Sequence, residues 1–205
     1  MKYDPEKHHR RSIRLREYDY SQPGAYFITV VTQDRRCLFG EVVNGQMRLN
    51  EVGHMVRREW ANLSNRFPNI HLDAFIIMPN HVHVIIIITD VKPVGAGLVP
   101  AHNGATTRVA PTDATDAHNG VAPTVGDIVG AFKSITTVQY TYGVKYCGWP
   151  PFRGRLWQRN YYEHIIRNEK SLNRVREYIL NNPLRWETDR ESQRAPCGIP
   201  PKDKP

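Results

Sequence analysis

IHLDAFIIMPNHVHVIIII, residues 70–88, decides the fold. Ile70–Ile77 and His81–Ile88 are both dense in β-branched and aromatic side chains, and only Met78-Pro79-Asn80 separates them. So short a connection cannot carry a parallel crossover, so the two runs pair antiparallel. Strands as apolar as these are expected at the centre of one sheet.

The flanks supply the rest of a layered domain. Upstream, Tyr26–Thr32 reads as a strand, and Asn44-Gly45 marks a two-residue hairpin turn around Val42–Leu49. Asn50 can cap a helix over Glu51–Phe67, where Val52, Met55, Val56, Trp60, Leu63 and Phe67 recur at helical spacing before Pro68-Asn69. Downstream, a helix begins at Asp127 with Ile128, Val129, Phe132 and Ile135 on its apolar face. A strand lies within the aromatic and basic stretch 154–166. A last helix, from Ser171 to about Asn182, packs through Leu172, Val175 and Ile179 and is limited by Pro183. The order predicts an α+β fold: an antiparallel ferredoxin-like or RRM-like sheet with helices packed on one face, the other face free to meet a ligand.

Residues from Asp90 to about Val125 differ in kind. They are rich in Gly, Ala, Pro and Thr and repeat AHNG at 101–104 and 117–120 and VAPT at 109–112 and 121–124. Such a composition buries little surface per ordered residue, so a flexible insertion is expected at about 92–124. The chain of 205 residues then reads as one domain over 1–187, followed by a proline-bearing, disordered tail at 188–205.

Charge suggests the partner. Lys and Arg number 28 against 20 Asp and Glu, a net charge of +8, which favours a polyanion. Lys7 to Arg16 includes Arg10, Arg11 and Arg14, either a solvated arm or a nucleic-acid contact. The start has no apolar run fit for a secretory signal, and Val84–Ile88 is far too short to span a membrane, so a cytoplasmic protein without membrane partners is expected. Cys37, Cys147 and Cys197 are widely spaced and suggest neither a disulfide framework nor a thiolate metal site.

Three features could carry chemistry. On a strand, His81 and His83 project from the same face, and two neutral imidazoles so placed make half of a divalent-metal site; they could equally be buried structural histidines. In the last helix, Tyr178 and Asn182 lie one turn apart. A tyrosine hydroxyl beside a phosphate-polarising metal can attack a phosphodiester, while the plainer reading packs Tyr178 beside Val175 and uses Asn182 as a cap. Arg153, Arg155, Trp157, Arg159, Tyr161, Tyr162 and His164 interleave donors with rings, extended by Lys133 and Arg185. That set suits a single strand or a hairpin end, unless the rings anchor the core and the arginines are simply solvated. Phosphate-gripping glycine loops, a nucleophile elbow and zinc-protease motifs are absent from the sequence.

Taken together in order, Arg10-Arg-Ser-Ile-Arg-Leu, Tyr18-Asp-Tyr-Ser-Gln-Pro-Gly-Ala-Tyr-Phe, Met78-Pro-Asn-His-Val-His-Val, Leu156-Trp-Gln-Arg-Asn-Tyr-Tyr-Glu-His-Ile-Ile-Arg and Tyr178-Ile-Leu-Asn-Asn-Pro resemble one family. This is the single-tyrosine HUH transposases, named for histidine, hydrophobic residue, histidine, and within them the REP-associated tyrosine transposases of repetitive extragenic palindromes. The resemblance spans roughly residues 10–187 apart from the insertion. It implies that His81 and His83 are a metal pair for Mg²⁺ or Mn²⁺, that Asn182 is a third ligand and that Tyr178 is the nucleophile. Asn181, turned about 100° away in a regular helix, is the weaker choice of ligand. The implied substrate is single-stranded DNA, as palindromic hairpins with flanking recognition bases, cleaved and rejoined through a 5′-phosphotyrosine link. A non-catalytic hairpin DNA- or RNA-binding protein and a metal-dependent nuclease using water are the alternatives. The resemblance leaves monomer and homodimer both open.

Overall fold

The structure is a computed structural model and describes residues 18–89 and 123–188. Its elements run β1 (Gly24–Val31), β2 (Gly40–Val43), β3 (Gln46–Leu49), α1 (Glu51–Ala61), α2 (Leu63–Arg66), β4 (Ile70–Ile77), β5 (His81–Ile88), α3 (Val125–Tyr146), β6 (Tyr162–Ile166) and α4 (Glu169–Leu180), with a closing 3-10 helix at Pro183–Thr188. The main sheet has the order β4-β5-β1-β6, every pairing antiparallel. Counting only its four strands, that is the ferredoxin-like order. Strand β5 is central as expected, but β4 is an edge strand. β1 takes the other central place because its Tyr26, Ile28 and Val30 bury one side of the strand as fully as β5 does.

Alternation along the strands splits the sheet into two faces. Tyr26, Ile28 and Val30 of β1 and Val82, Val84, Ile86 and Ile88 of β5 join Val56 and Trp60 of α1 and Ile128, Phe132 and Tyr140 of α3 in the main core. The opposite face is smaller: Phe27, Ile85 and Ile166 meet Ile179, Val175 and Leu172 of α4. α1, with α2 directly after it, and α3 thus cover one face as predicted, and α4 packs on the other.

Strand β4 carries a bulge. Leu72 pairs with Ile86 and Phe75 with Val84, so Asp73 and Ala74 together oppose the single residue Ile85. The extra residue keeps Leu72 and Phe75 both on the main core. The Asp73 carboxylate receives a bidentate pair from Arg176 of α4, Nε to Oδ1 at 2.9 Å and Nη2 to Oδ2 at 2.6 Å. This clip and the small apolar cluster seat α4. Arg176 also holds the Asp73 carboxyl below its ordinary range, chiefly through that hydrogen bond.

Other expectations need adjusting. The helix foreseen over 51–67 breaks at Asn62, whose N–H bonds Arg58 and Trp60 carbonyls, yet its apolar stripe continues into α2 through Leu63. Helix α3 runs 22 residues, well past the segment read from the sequence. Its second half, rich in Thr, Tyr and Val, has weak helical propensity. Thr136, Thr137 and Thr141 return their hydroxyls to carbonyls one turn back, and packing of Tyr140 against Trp149 and Phe152 does the rest. Asn44 and Gly45 both take positive φ, 52° and 70°, as a tight hairpin turn requires. Cys37 is disulfide-bonded and Cys147 is a free, exposed thiol. No helix among the described residues is long and apolar enough to cross a membrane. The insertion, apart from Pro123 and Thr124, and the tail, apart from Thr188, lie outside the described residues, as do Arg10, Arg11 and Arg14.

Candidate active site

The site grows from the α4-bearing face of the sheet. β5 places His81 and His83 there side by side, with Nε2 atoms 3.0 Å apart and both rings buried. Pairing with β1 sets Thr29 opposite His83, and the Thr29 hydroxyl lies 2.8 Å from His83 Nδ1. His81 Nδ1 lies 2.7 Å from Asn80 Oδ1, while Asn80 Nδ2 donates to the Arg35 carbonyl at 3.2 Å. Because that carbonyl can only accept, the amide orientation follows, and His81 must carry its proton on Nδ1. Its Nε2 lone pair therefore faces His83. Asp34 and Arg35 both hold positive φ, 56° and 54°, in the turn that delivers the carbonyl.

Burial, with the Arg35 charge adding to it, pulls the His81 pKa down to about 3. Burial and then His81 itself hold His83 well below the ordinary range. Both rings are neutral at pH 7, the form that binds metal. Without an ion, one Nε2 must donate to the other, and that donor is His83, with Nδ1 accepting from Thr29. The Thr29 hydroxyl can also accept from Nδ1–H, which frees His83 Nε2.

Tyr178 enters from the other layer. It projects from α4 with its hydroxyl 3.4 Å from His83 Nε2 and stays 36% exposed, so it borders both the histidines and solvent. Phe27 fixes this junction, its ring lying 5.4 Å from that of His83, 5.9 Å from Tyr178 and 6.3 Å from Tyr162.

The helix ends earlier than the sequence suggested. α4 stops at Leu180 and Asn181 caps it, so the argument from a regular helix through Asn182 does not hold. Asn182 is nonetheless buried at 1% exposure, and its Oδ1 has no hydrogen-bond partner among the described residues. A buried amide oxygen left so is costly unless a ligand completes it. Asn181, by contrast, is exposed and lines the cleft beside Tyr178.

This donor set fits a divalent cation. Ligands at about 2.1 Å on adjacent vertices of an octahedron stand about 3.0 Å apart, the separation of the two Nε2 atoms. Asn80 and Thr29 supply the outer hydrogen bonds that metal-binding histidines usually have. The described residues contain no group of three or more His, Cys, Asp or Glu suited to an ion.

The basic and aromatic residues divide. Arg153, Arg155 and Arg159 are exposed. Arg185 lines the cleft with Tyr178 and His83, and Trp186 lies 6.0 Å from the His81 ring. Trp157 does not belong with the DNA-facing set: it is 4% exposed, packs against Phe39 and Phe132, and donates its indole N–H to Thr136. A ring so enclosed stacks no base. Lys133 is spent on structure, its ammonium reaching the carbonyls of Gln158, Arg159 and Asn160 at 2.9, 3.4 and 3.1 Å, and burial lowers its pKa to about 8. Tyr161 lies under that ammonium, 5.4 Å from ring centre to nitrogen, and packs on the core. Sequence reasoning missed Thr29, Asn80 and Phe27, whose roles come from cross-strand register and from a turn.

No protein-family model matches the chain. A Haemophilus influenzae protein described as uncharacterized is 43% identical over 192 residues, covering 92% of this chain and 96% of that one. The solved structure of a REP-associated tyrosine transposase bound to a REP hairpin aligns at a TM-score of 0.50 with 20% identity, over 84% of this chain and 73% of that chain. At this identity the likeness is one of fold.

Proposed function

We propose a DNA strand-transfer function for this chain, which belongs to the same family as the Haemophilus influenzae protein and has the fold of the REP-associated tyrosine transposase. Tyr178 is the nucleophile. Its phenolic oxygen attacks a phosphodiester of single-stranded DNA, an O–P bond forms to the 5′-phosphate side, and the P–O3′ bond breaks. The phenolic proton goes to solvent at the cleft mouth and the departing oxygen takes one up as a 3′-hydroxyl. The tyrosyl phosphodiester conserves the bond energy, so that hydroxyl or another can reverse the step and rejoin strands without ATP.

His81, His83 and the Asn182 oxygen would hold Mg²⁺ or Mn²⁺. Such an ion, when bound, neutralises charge on the phosphate. Arg185 at the cleft and the exposed Arg153, Arg155 and Arg159 hold the DNA backbone, as a hairpin with single-stranded flanks. The observation that carries this reading is the convergence of three groups from two layers: Tyr178 Oη 3.4 Å from His83 Nε2, itself 3.0 Å from His81 Nε2.

The test is a denaturing gel of end-labelled single-stranded hairpin DNAs, drawn from repeats near the gene, with wild-type and Tyr178→Phe protein, with and without Mn²⁺. A covalent adduct on the 5′-phosphate side, dependent on metal and absent from Tyr178→Phe, is expected. Cleavage products that persist without Tyr178 would mean water is the nucleophile, and tight binding without cleavage across the panel would leave only a binding protein.

A further inference from the structure

The cleft beside the histidines is larger than one phosphate needs. It measures about 780 Å³, within the range of about 300–1,000 Å³ typical of ligand pockets. Phe27, Thr29 and Val31 of β1 form its floor, Tyr162 and His164 of β6 one wall, and Arg174 and Tyr178 of α4 the other. Thr29 pairs with His83 on one side and with Tyr162 on the other, so His83, Thr29 and Tyr162 form one row across the same sheet face. Two strand spacings place the Tyr162 and His83 backbones about 10 Å apart. A phosphate, its sugar and the attached base span such a distance.

Tyr162 is unusual for a strand tyrosine facing a helix. It is 47% exposed, and its ring meets Phe27 at 69°, an edge contact that leaves ring surface turned toward the cleft. The opposite wall carries Arg174, with Glu177 on the same helix, and Arg185 adds a second guanidinium to the lining. An aromatic wall facing arginines is the arrangement that takes an unpaired base and its phosphate together.

We infer that this cleft is a nucleotide pocket: an unpaired base next to the scissile phosphate stacks on Tyr162, and Arg174 contacts the backbone phosphate beside it. The pocket rests on the strand-transfer reading for the meaning of scissile, but its stacking is separately measurable. Tyr162 is thus a base-stacking residue at the reacting strand, distinct from the exposed arginines that grip the hairpin.

Photo-cross-linking tests it. The probe is a DNA hairpin with single-stranded thymine flanks in which 5-iododeoxyuridine replaces each flank thymine in turn, irradiated with full-length protein, digested with trypsin and read by mass spectrometry. The expected cross-link lies in the peptide Asn160–Arg167, with fragment ions placing it on Tyr162 rather than Tyr161. Tyr162→Ala should weaken binding of the flanked hairpin roughly 10- to 100-fold, and Tyr162→Phe, which keeps the ring, should bind within about twofold of wild type. Cross-links confined to other peptides, or Tyr162→Ala binding as tightly as wild type, overturns the pocket even if Tyr178 forms its adduct. A Tyr162 cross-link with no Tyr178 adduct on any hairpin supports the pocket and fails the strand-transfer reading alone.

Discussion

Replacing Asn80 with Ala separates the metal reading from a merely structural histidine pair. Asn80 never faces the substrate: it is fully buried, and its side chain spans from the Arg35 carbonyl to His81 Nδ1 at 2.7 Å. Its removal leaves His81 two options. The proton stays on Nδ1 as a buried donor without a partner, which costs about 1–3 kcal/mol. Alternatively it moves to Nε2 and occupies the lone pair a cation needs, at a similar cost to refill. Loss of the outer hydrogen bond that orients His81 lowers divalent-ion affinity by about 10- to 100-fold. Mn²⁺ titration followed by electron paramagnetic resonance, on protein whose melting confirms folding, reads this directly. Asn80→Asp restores an acceptor at the same place and should bind Mn²⁺ at least as tightly as wild type. A folded Asn80→Ala protein with wild-type affinity refutes the role of Asn80, and wild-type protein that binds no Mn²⁺ refutes the metal site.

Three further changes probe how the fold supports the site. Asp73→Ala unclips α4 from the bulge, so adduct formation by Tyr178 should slow more than hairpin affinity falls; equal losses in both assays would count against the clip. The folded-state pKa of Asp73 is depressed, so its contribution is present above the unfolded carboxyl range and is lost as pH falls through the lowered value; wild type should therefore be more stable than Asp73→Ala at neutral pH, and the gap should close at the acid end. Trp157→Ala should cost about 3–5 kcal/mol in denaturant unfolding, as for a core aromatic, and a small loss with weakened DNA binding would return it to the surface set. For Lys133 the folded pKa is lowered from 10.5 to about 8, so the unfolded chain binds more protons between those values and stability rises with pH across that window; Lys133→Met should lack this rise in thermal melts.

How much of this was legible in the sequence depends on whether a feature is local. His81 and His83 follow from period two on one strand, Asn50 from cap chemistry, and the β4–β5 pairing from a connection too short for a crossover. Thr29 is a different matter. Its contact with His83 depends on the register of β1 against β5, 54 residues apart, and no local pattern encodes that pairing. Trp157 misleads for a related reason: among arginines it looks like a stacking platform, and contacts distant in sequence, Phe39, Thr136 and Phe132 of α3 and the bridge to Thr32, draw it inside. α3 was read too short because its Thr and Tyr residues favour strands locally, and burial against the sheet overrides that preference.

The bulge, however, left a trace. In Ile70–Ile77 the residues on the main core are Ile70, Leu72, Phe75 and Ile77, so the alternation slips by one at Asp73-Ala74. A strict strand would have put Phe75 on the α4 face. The slip leaves Asp73 as the extra residue, and a charged residue there can reach out of the sheet layer without turning a core side chain outward. Arg176 meets it two residues before Tyr178 on the same helix. The break in periodicity that keeps the main core packed on one face thus anchors, on the other, the helix that presents the tyrosine to His83.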